Sequence, residues 1–344
     1  MIKKLLKSRR FRLFTVVFVA LALVGVIIWR GPEFGLVKSA FETVSWIWVV
    51  AALGANLLST WLRAIAWQVT VAQAIPAPLP THGNIFSAFS IGLVANVALP
   101  GRIGEFARVG VLSRHISDSS FQWPAVAGSI FAHRVLDVVP TAGLAIYVLV
   151  VARLPSWAEN GVYALLAVGG IMLVFSVILA KRRRHVSLEE KGRFTRILYV
   201  ARWGLSVFRR PGAVVVASTL QGAGWATQLL AVWLALRAFG IREPIAAAAL
   251  VLLIVNVALA FPLWPSAIGL YQAGVALALL PYGISYSHGF AAGVGLQVIE
   301  VAVGVSLGLF FLAREGLSFT SLKEMPHFSG QIMRLQSRVY AGKQ

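Results

Sequence analysis

Asn96-Val-Ala-Leu-Pro-Gly-Arg-Ile-Gly-Glu-Phe-Ala-Arg108, continuing to Arg114, is the stretch that decides how the rest of the chain is read. An apolar run stops at Leu99, breaks at Pro100-Gly101 and restarts as a short helix. That helix carries Arg102, Glu105 and Arg108 at i, i+3 and i+6, one stripe of its surface. Proline ends a helix through its missing N–H and a ring clash, glycine through backbone entropy. In water this would be an ordinary loop. The chain around it is not built for water.

Of the 344 residues, 58% are hydrophobic and 12% charged, and apolar runs near the spanning length of about 20 residues recur along the chain. The fold class is therefore an all-α integral membrane protein. The formal charge of +19 sits in blocks flanking the apolar runs, as membrane orientation requires. No RNA- or DNA-binding module accompanies those blocks, which argues against nucleic acid as a partner. The absence of cysteine removes disulfides, thiol chemistry and cysteine-based metal sites.

A basic segment, 1–12, precedes a first apolar run at 13–29, read as an uncleaved span because apolar residues continue past its small ones. Further runs lie at 44–63, 85–99, 123–151, 162–180, 213–236, 245–280 and 290–312, all within one membrane domain at 13–312. The most basic region, 181–210, holds ten Lys/Arg against Glu189 and Glu190. Within it, residues 188–208 space Phe194, Ile197, Ala201, Leu205 and Phe208 at helical intervals, which reads as an amphipathic anchor on the anionic cytoplasmic leaflet. A polar tail occupies 313–344.

Charge asymmetry fixes the topology. The N-terminus and the 181–210 region both belong in the cytoplasm, so one run between them fails to cross. The 85–99 run is short for a crossing at 1.5 Å per residue and folds back through Pro100-Gly101 as a re-entrant helical hairpin. A second hairpin at 245–280, entered from the other face, returns the tail to the cytoplasm. About six transmembrane helices and two hairpins result. The wording of the sequence repeats too. Asn96-Val-Ala-Leu recurs as Asn256-Val-Ala-Leu, and Pro100-Gly-Arg-Ile-Gly104 is echoed by Pro265-Ser-Ala-Ile-Gly269, with Pro262 and Trp264 inserted before it. Repeat 1 (44–151) and repeat 2 (213–312), joined by the linker span 162–180, then form an inverted repeat, whose paired breaks point to a binding site.

Ionisable residues at membrane depth are functional candidates by default. Arg102 and Arg108, with Gly101, Gly104 and Asn96 around the break, read as an anion site: guanidiniums offer planar, paired donors suited to phosphate. The alternative is a pair of arginines snorkelling to lipid headgroups. His133, Arg134 and Asp137 lie on one helix face and read as a structural lock, with acyl transfer or metal binding as the lesser reading. Glu105 serves as a counter-charge. Glu300, in the last span, either pairs with an arginine of the first hairpin or carries a proton. Arg63 and Trp67, at the end of the second run, read as interface anchors. Pro262, Pro265, Gly269 and Gln272 mark the second break, which carries no charge. No catalytic residue, metal or cofactor is expected.

On Asn96, Leu99-Pro100-Gly101-Arg102-Ile103-Gly104-Glu105, Arg108, Arg134-Val-Leu-Asp137 and Pro265 with Ile268-Gly269, the chain resembles the lysylphosphatidylglycerol synthase transmembrane family, also called flippase-like membrane proteins. It departs from that family at His133, where a glutamate is usual, and at Ser266-Ala267, where two glycines are usual. Gln272 replaces a glutamate, and Leu296-Gln297 replaces a Tyr-Arg pair. The resemblance implies the membrane part alone, without the soluble aminoacyl-transferase domain of fused members. It implies a flippase of a phosphate-bearing lipid or lipid-linked precursor in a prokaryotic inner membrane, with both termini cytoplasmic. The partners expected are membrane lipids with anionic headgroups. A lipid-modifying transferase and a non-transporting scaffold are the alternatives.

Overall fold

The computed structural model describes residues 34–99, 103–116, 122–154, 156–181, 204–260 and 267–318. The first apolar run, the hairpin breaks at Pro100, Gly101 and Arg102 and at Pro262 and Pro265, most of the basic 181–210 region and the end of the tail lie outside them. Among the described residues every regular element is helical. In chain order these are α1 (Phe34–Glu42), α2 (Trp46–Ala74), α3 (His82–Ala98), α4 (Gly104–Ser113), α5 (Gln122–Leu136), α6 (Val138–Val151) and α7 (Ser156–Lys181). After a short 3₁₀ turn, Gly204–Arg209, come α8 (Pro211–Ala238), α9 (Ile245–Ala260), α10 (Leu270–Leu279) and α11 (Tyr286–Arg314).

Four of the described stretches are long and apolar enough to cross a membrane: Trp46–Ala74, Trp123–Val151, Ala158–Ile178 and Tyr286–Arg314. Helix α8, 28 residues long, matches them in length but carries Gln221, Thr227 and Gln228 in its interior. Helix α2 runs to Ala74, well past the boundary expected at 63, and stops at Ile75, where Pro76 disfavours the helical conformation of the residue before it. Arg63 therefore stands mid-helix, 11 residues from Ala74, or about 16 Å inside it. It cannot be the interface anchor expected of it.

The run Trp123–Val151 is one apolar stretch with a defect. Pro140 has no N–H for the carbonyl of Leu136 and its ring crowds the preceding turn. The helix accordingly parts at Asp137, between α5 and α6. The break is narrow, since Asp137 N still donates to His133 O (3.1 Å) and Thr141 N to Asp137 O (3.1 Å).

Packing joins these helices into one bundle. Helices α2 and α8 lie antiparallel along most of their length. Ser45 N donates to Ala238 O at one end (3.0 Å), and Ser59 Oγ to Gly224 O further along (2.7 Å). Both interrupted segments form helix pairs that pack on themselves, α3 against α4 and α9 against α10. The last span touches both pairs. A Cβ on Gly293 would lie 2.9 Å from Gln272 Cα of α10, and one on Gly308 would lie 2.4 Å from Val94 Cβ of α3. Only glycine lets α11 come that close at either place. Helix α7 instead turns Val168, Ile171, Val174 and Phe175 outward, as a lipid-facing span does.

The end of the expected amphipathic anchor departs from expectation. Leu205 and Phe208, assigned to the lipid side, are buried with Val207 against Ala132, Val135 and Leu136 of α5 and Ala217 of α8. Ser206 Oγ donates to the Gln73 carbonyl at the end of α2. Protein rather than lipid covers Leu205 and Phe208; Phe194, Ile197 and Ala201 lie outside the described residues.

Candidate functional site

The break at Asp137 turns a carboxylate into the centre of the bundle, where four donors meet it. Arg63 Nη2 (3.3 Å), Gln221 Nε2 (2.7 Å) and Trp225 Nε1 (3.0 Å) reach Oδ1, and Arg134 Nη1 reaches Oδ2 (3.4 Å). The ionic part of this arrangement ties α2 to the α5–α6 break, and the two neutral donors come from α8. A buried carboxylate persists only when it is so paired and hydrogen-bonded.

Arg134 carries the network onward. Its Nε donates to Glu105 Oε1 at 3.1 Å, and its Nη2 donates to the same oxygen. The other carboxylate oxygen of Glu105 lies 3.7 Å from Arg108 Nη1, too long for a hydrogen bond. Arg108 is only 2% exposed. Its guanidinium sits 4.0 Å from the centre of the Phe89 ring and 5.9 Å from that of Trp67, and its Nε has no hydrogen-bond partner among the described residues. Three guanidiniums, Arg63, Arg108 and Arg134, thus share two carboxylates, Glu105 and Asp137. The cluster keeps an excess positive charge, concentrated on its deepest member.

Around the first break, the expected ligands divide by role. Asn96 Oδ1 accepts from Gly104 N at 2.9 Å, which satisfies the leading amide of α4. That amide is consumed inside the protein, so it is not offered to an anion. A Cβ on Gly104 would stand 2.1 Å from Gly92 O and 2.5 Å from Asn96 Oδ1. Both residues hold the α3–α4 contact together and so set where Glu105 and Arg108 point.

His133 is 1% exposed and meets Asp137 through an intermediary. Gln221 Nε2 lies 3.4 Å from His133 Nε2 and donates to Asp137, and Phe89 sits edge-on to the imidazole at 6.2 Å. The expected i, i+3 pair, Arg134 with Asp137, forms directly.

The second break is chemically different. Asn256 Nδ2 turns back to Leu252 O of its own helix (2.8 Å). The N-terminal amide of α10, at Gly269, is instead accepted by Gln272 Oε1 (2.6 Å), and Gln272 Nε2 donates to Gln297. Of the arginines Glu300 was expected to meet, Arg102 lies outside the described residues and Arg108 faces Glu105 instead. The Glu300 carboxylate accepts from Gln228 Nε2 (2.8 Å) and Tyr271 OH (2.8 Å), and no ion pair reaches it among the described residues. Among the described residues, the side chains that bond to Glu300 come from α8 and α10 and are neutral.

Sequence reasoning missed Arg63 as a site residue, along with Gln221, Trp225, Phe89 and Trp67. Trp67 is fully buried and donates to Ser129 Oγ (3.3 Å), so it is no interface anchor either. A usable signal existed for α8: Gln221, Trp225 and Gln228, at i, i+4 and i+7, make a polar stripe in an apolar run.

Long apolar helices, two interrupted pairs and an ionic cluster enclosed between them define a multi-pass integral membrane protein. Residues 14–308 match the family described as the lysylphosphatidylglycerol synthase TM region, and the chain belongs to that family. Comparison with curated proteins found no match, and neither did comparison with solved structures.

Proposed function

We propose that this protein is a lipid flippase of a prokaryotic cytoplasmic membrane, translocating a phosphate-bearing lipid or lipid-linked precursor. Both helix pairs act as re-entrant hairpins of an inverted repeat, and the headgroup passes between them while its chains stay in lipid. The observation that carries this reading is Arg108. A guanidinium enclosed by aromatic rings, with an uncommitted donor and its carboxylate at 3.7 Å, has the chemistry of an anion receptor. A phosphate would take paired hydrogen bonds from it that Glu105 does not. Between cargoes Glu105, already held by Arg134, is the counter-charge beside Arg108, and Asp137 plays that part for Arg63 and Arg134, which leaves one positive charge in excess.

The test is transbilayer movement of a fluorescent anionic phospholipid in liposomes holding the purified protein. Wild type equilibrates the label between leaflets, and Arg108→Gln slows it about tenfold or more, the loss of one charge-assisted contact of about 1.5–3 kcal/mol. Equal rates for the two proteins would remove Arg108 from the site. No movement by wild type would remove the transport reading.

A further inference from the structure

Glu300 is an acid of the last span that the cluster around Arg108 does not use. Among the described residues, the groups that act on it come from three helices. Gln228 of α8 and Tyr271 of α10 donate to it. Arg63 of α2 acts on it through space while paired with Asp137. Helix α3, which also packs on α11, carries one titratable group, His82, bonded to Gln68, and on α11 itself the neighbouring polar group is Gln297, engaged with Gln272. Glu300 is a carboxylate whose contacts, among the described residues, are all neutral.

Gln228 stands seven residues beyond Gln221, two turns along the same face of α8 and about 10 Å away. Gln221 donates to Asp137 at 2.7 Å and Gln228 to Glu300 at 2.8 Å. A single helix face therefore holds one acid from each half of the chain, each through a glutamine amide.

We infer that Glu300 is a proton-exchange site that loads with the anionic headgroup, coupling lipid movement to the proton gradient, with α8 as the link. This rests on the transport reading above. A headgroup arriving at Arg108 brings a negative charge into a low-dielectric interior. One proton taken from water by a Glu300 oxygen, turning carboxylate into acid with no other bond changed, offsets that charge. Net charge crossing the hydrocarbon then stays constant, which avoids the cost of moving an ion. Protonation also has a local consequence. As a carboxylate, Glu300 accepts from both neighbours; as an acid it must donate once itself. Gln228 answers by turning its amide oxygen toward Glu300, or Tyr271 by turning its hydroxyl hydrogen away. The first of these changes the face of α8 that also holds Asp137.

Full-length protein in liposomes, with a fluorescent anionic phospholipid and an imposed pH difference, tests the coupling. One proton per lipid drives the leaflet distribution in wild type toward about tenfold per pH unit. Glu300→Gln, fixed in the neutral form, leaves the distribution equal, and Glu300→Asp restores the response. Infrared difference spectra on acidification supply a readout independent of transport: wild type gains the carbonyl stretch of a protonated carboxyl, and Glu300→Gln lacks that gain. An unchanged gradient response in Glu300→Gln, or the same infrared gain in both proteins, overturns the proton site. A wild type that moves lipid but ignores the gradient overturns the coupling alone. A wild type that shows the infrared signal but moves no lipid overturns the transport reading, and the coupling with it.

Discussion

The guanidinium of Arg108 lies 4.0 Å from the centroid of the Phe89 ring and is almost wholly out of solvent. An arginine is tolerated there because a ring face supplies electron density without supplying a proton acceptor. The charge is stabilised while its Nε–H, among the described residues, stays uncommitted. A carboxylate in the same place would neutralise the cation and fill the site.

Removing that ring should therefore cost stability. Phe89→Leu takes away a desolvated cation–π contact, about 2 kcal/mol, and leaves most of the apolar packing. Thermal unfolding in detergent should show a lower midpoint for Phe89→Leu and a near-normal one for Phe89→Tyr, which keeps the ring face. Equal losses in the two variants would mean that shape rather than ring charge holds Arg108.

Asp137 should behave as the keystone of a charge balance. Asp137→Asn leaves Arg63 and Arg134 short of a counter-charge and should destabilise by about 3–5 kcal/mol, the cost of breaking a buried pair. Combining it with Arg63→Gln removes one charge of each sign. The double variant should unfold at a higher temperature than Asp137→Asn alone. A double variant whose losses simply add would show that the two side chains do not interact energetically.

Close approach makes a prediction of its own. Gly308→Val would put a Cβ only 2.4 Å from Val94 Cβ, prying α11 from α3. Overpacking of this kind costs about 1–3 kcal/mol or more, and the yield of folded protein should fall. Gly170, whose added Cβ meets nothing within 4 Å, is the control: Gly170→Ala should be indistinguishable from wild type in the same assay.

Topology can be read without background labelling, because the chain has no cysteine. A membrane-impermeant thiol reagent should label a single cysteine at Ser156 in intact cells, from outside, and one at Ser117, on the cytoplasmic side, only after the membrane is permeabilised. The reverse pattern would make the 85–99 segment a full crossing and dissolve the inverted repeat.

Much of the fold was legible because membrane physics writes it plainly. Apolar length located the long helices, and Pro/Gly breaks located both interrupted pairs. The i, i+3 spacing of Arg134 and Asp137 announced their pairing. Other features depend on which residues meet across the bundle, and no local pattern carries that. Arg63 looked like the end of a span because a charge usually marks an interface; its partner, Asp137, lies 74 positions away in sequence. Asn96 and Asn256 share a four-residue context yet cap different things, since the second break draws its acceptor from Gln272. Leu205 and Phe208 showed an apolar face without saying whether protein or lipid would cover it.

Helix α11 meets α10 at Gly293 and α3 at Gly308, and of the long helices it is made last. Neither interrupted pair has its final neighbour until α11 has been made. During synthesis, α3 and α4 must wait with Arg108 already inserted and one wall missing. The chain therefore has a long vulnerable interval in which insertion machinery or lipid must stand in for α11. Damage to this one helix should be felt first as degradation during biogenesis, before the finished protein can act at all.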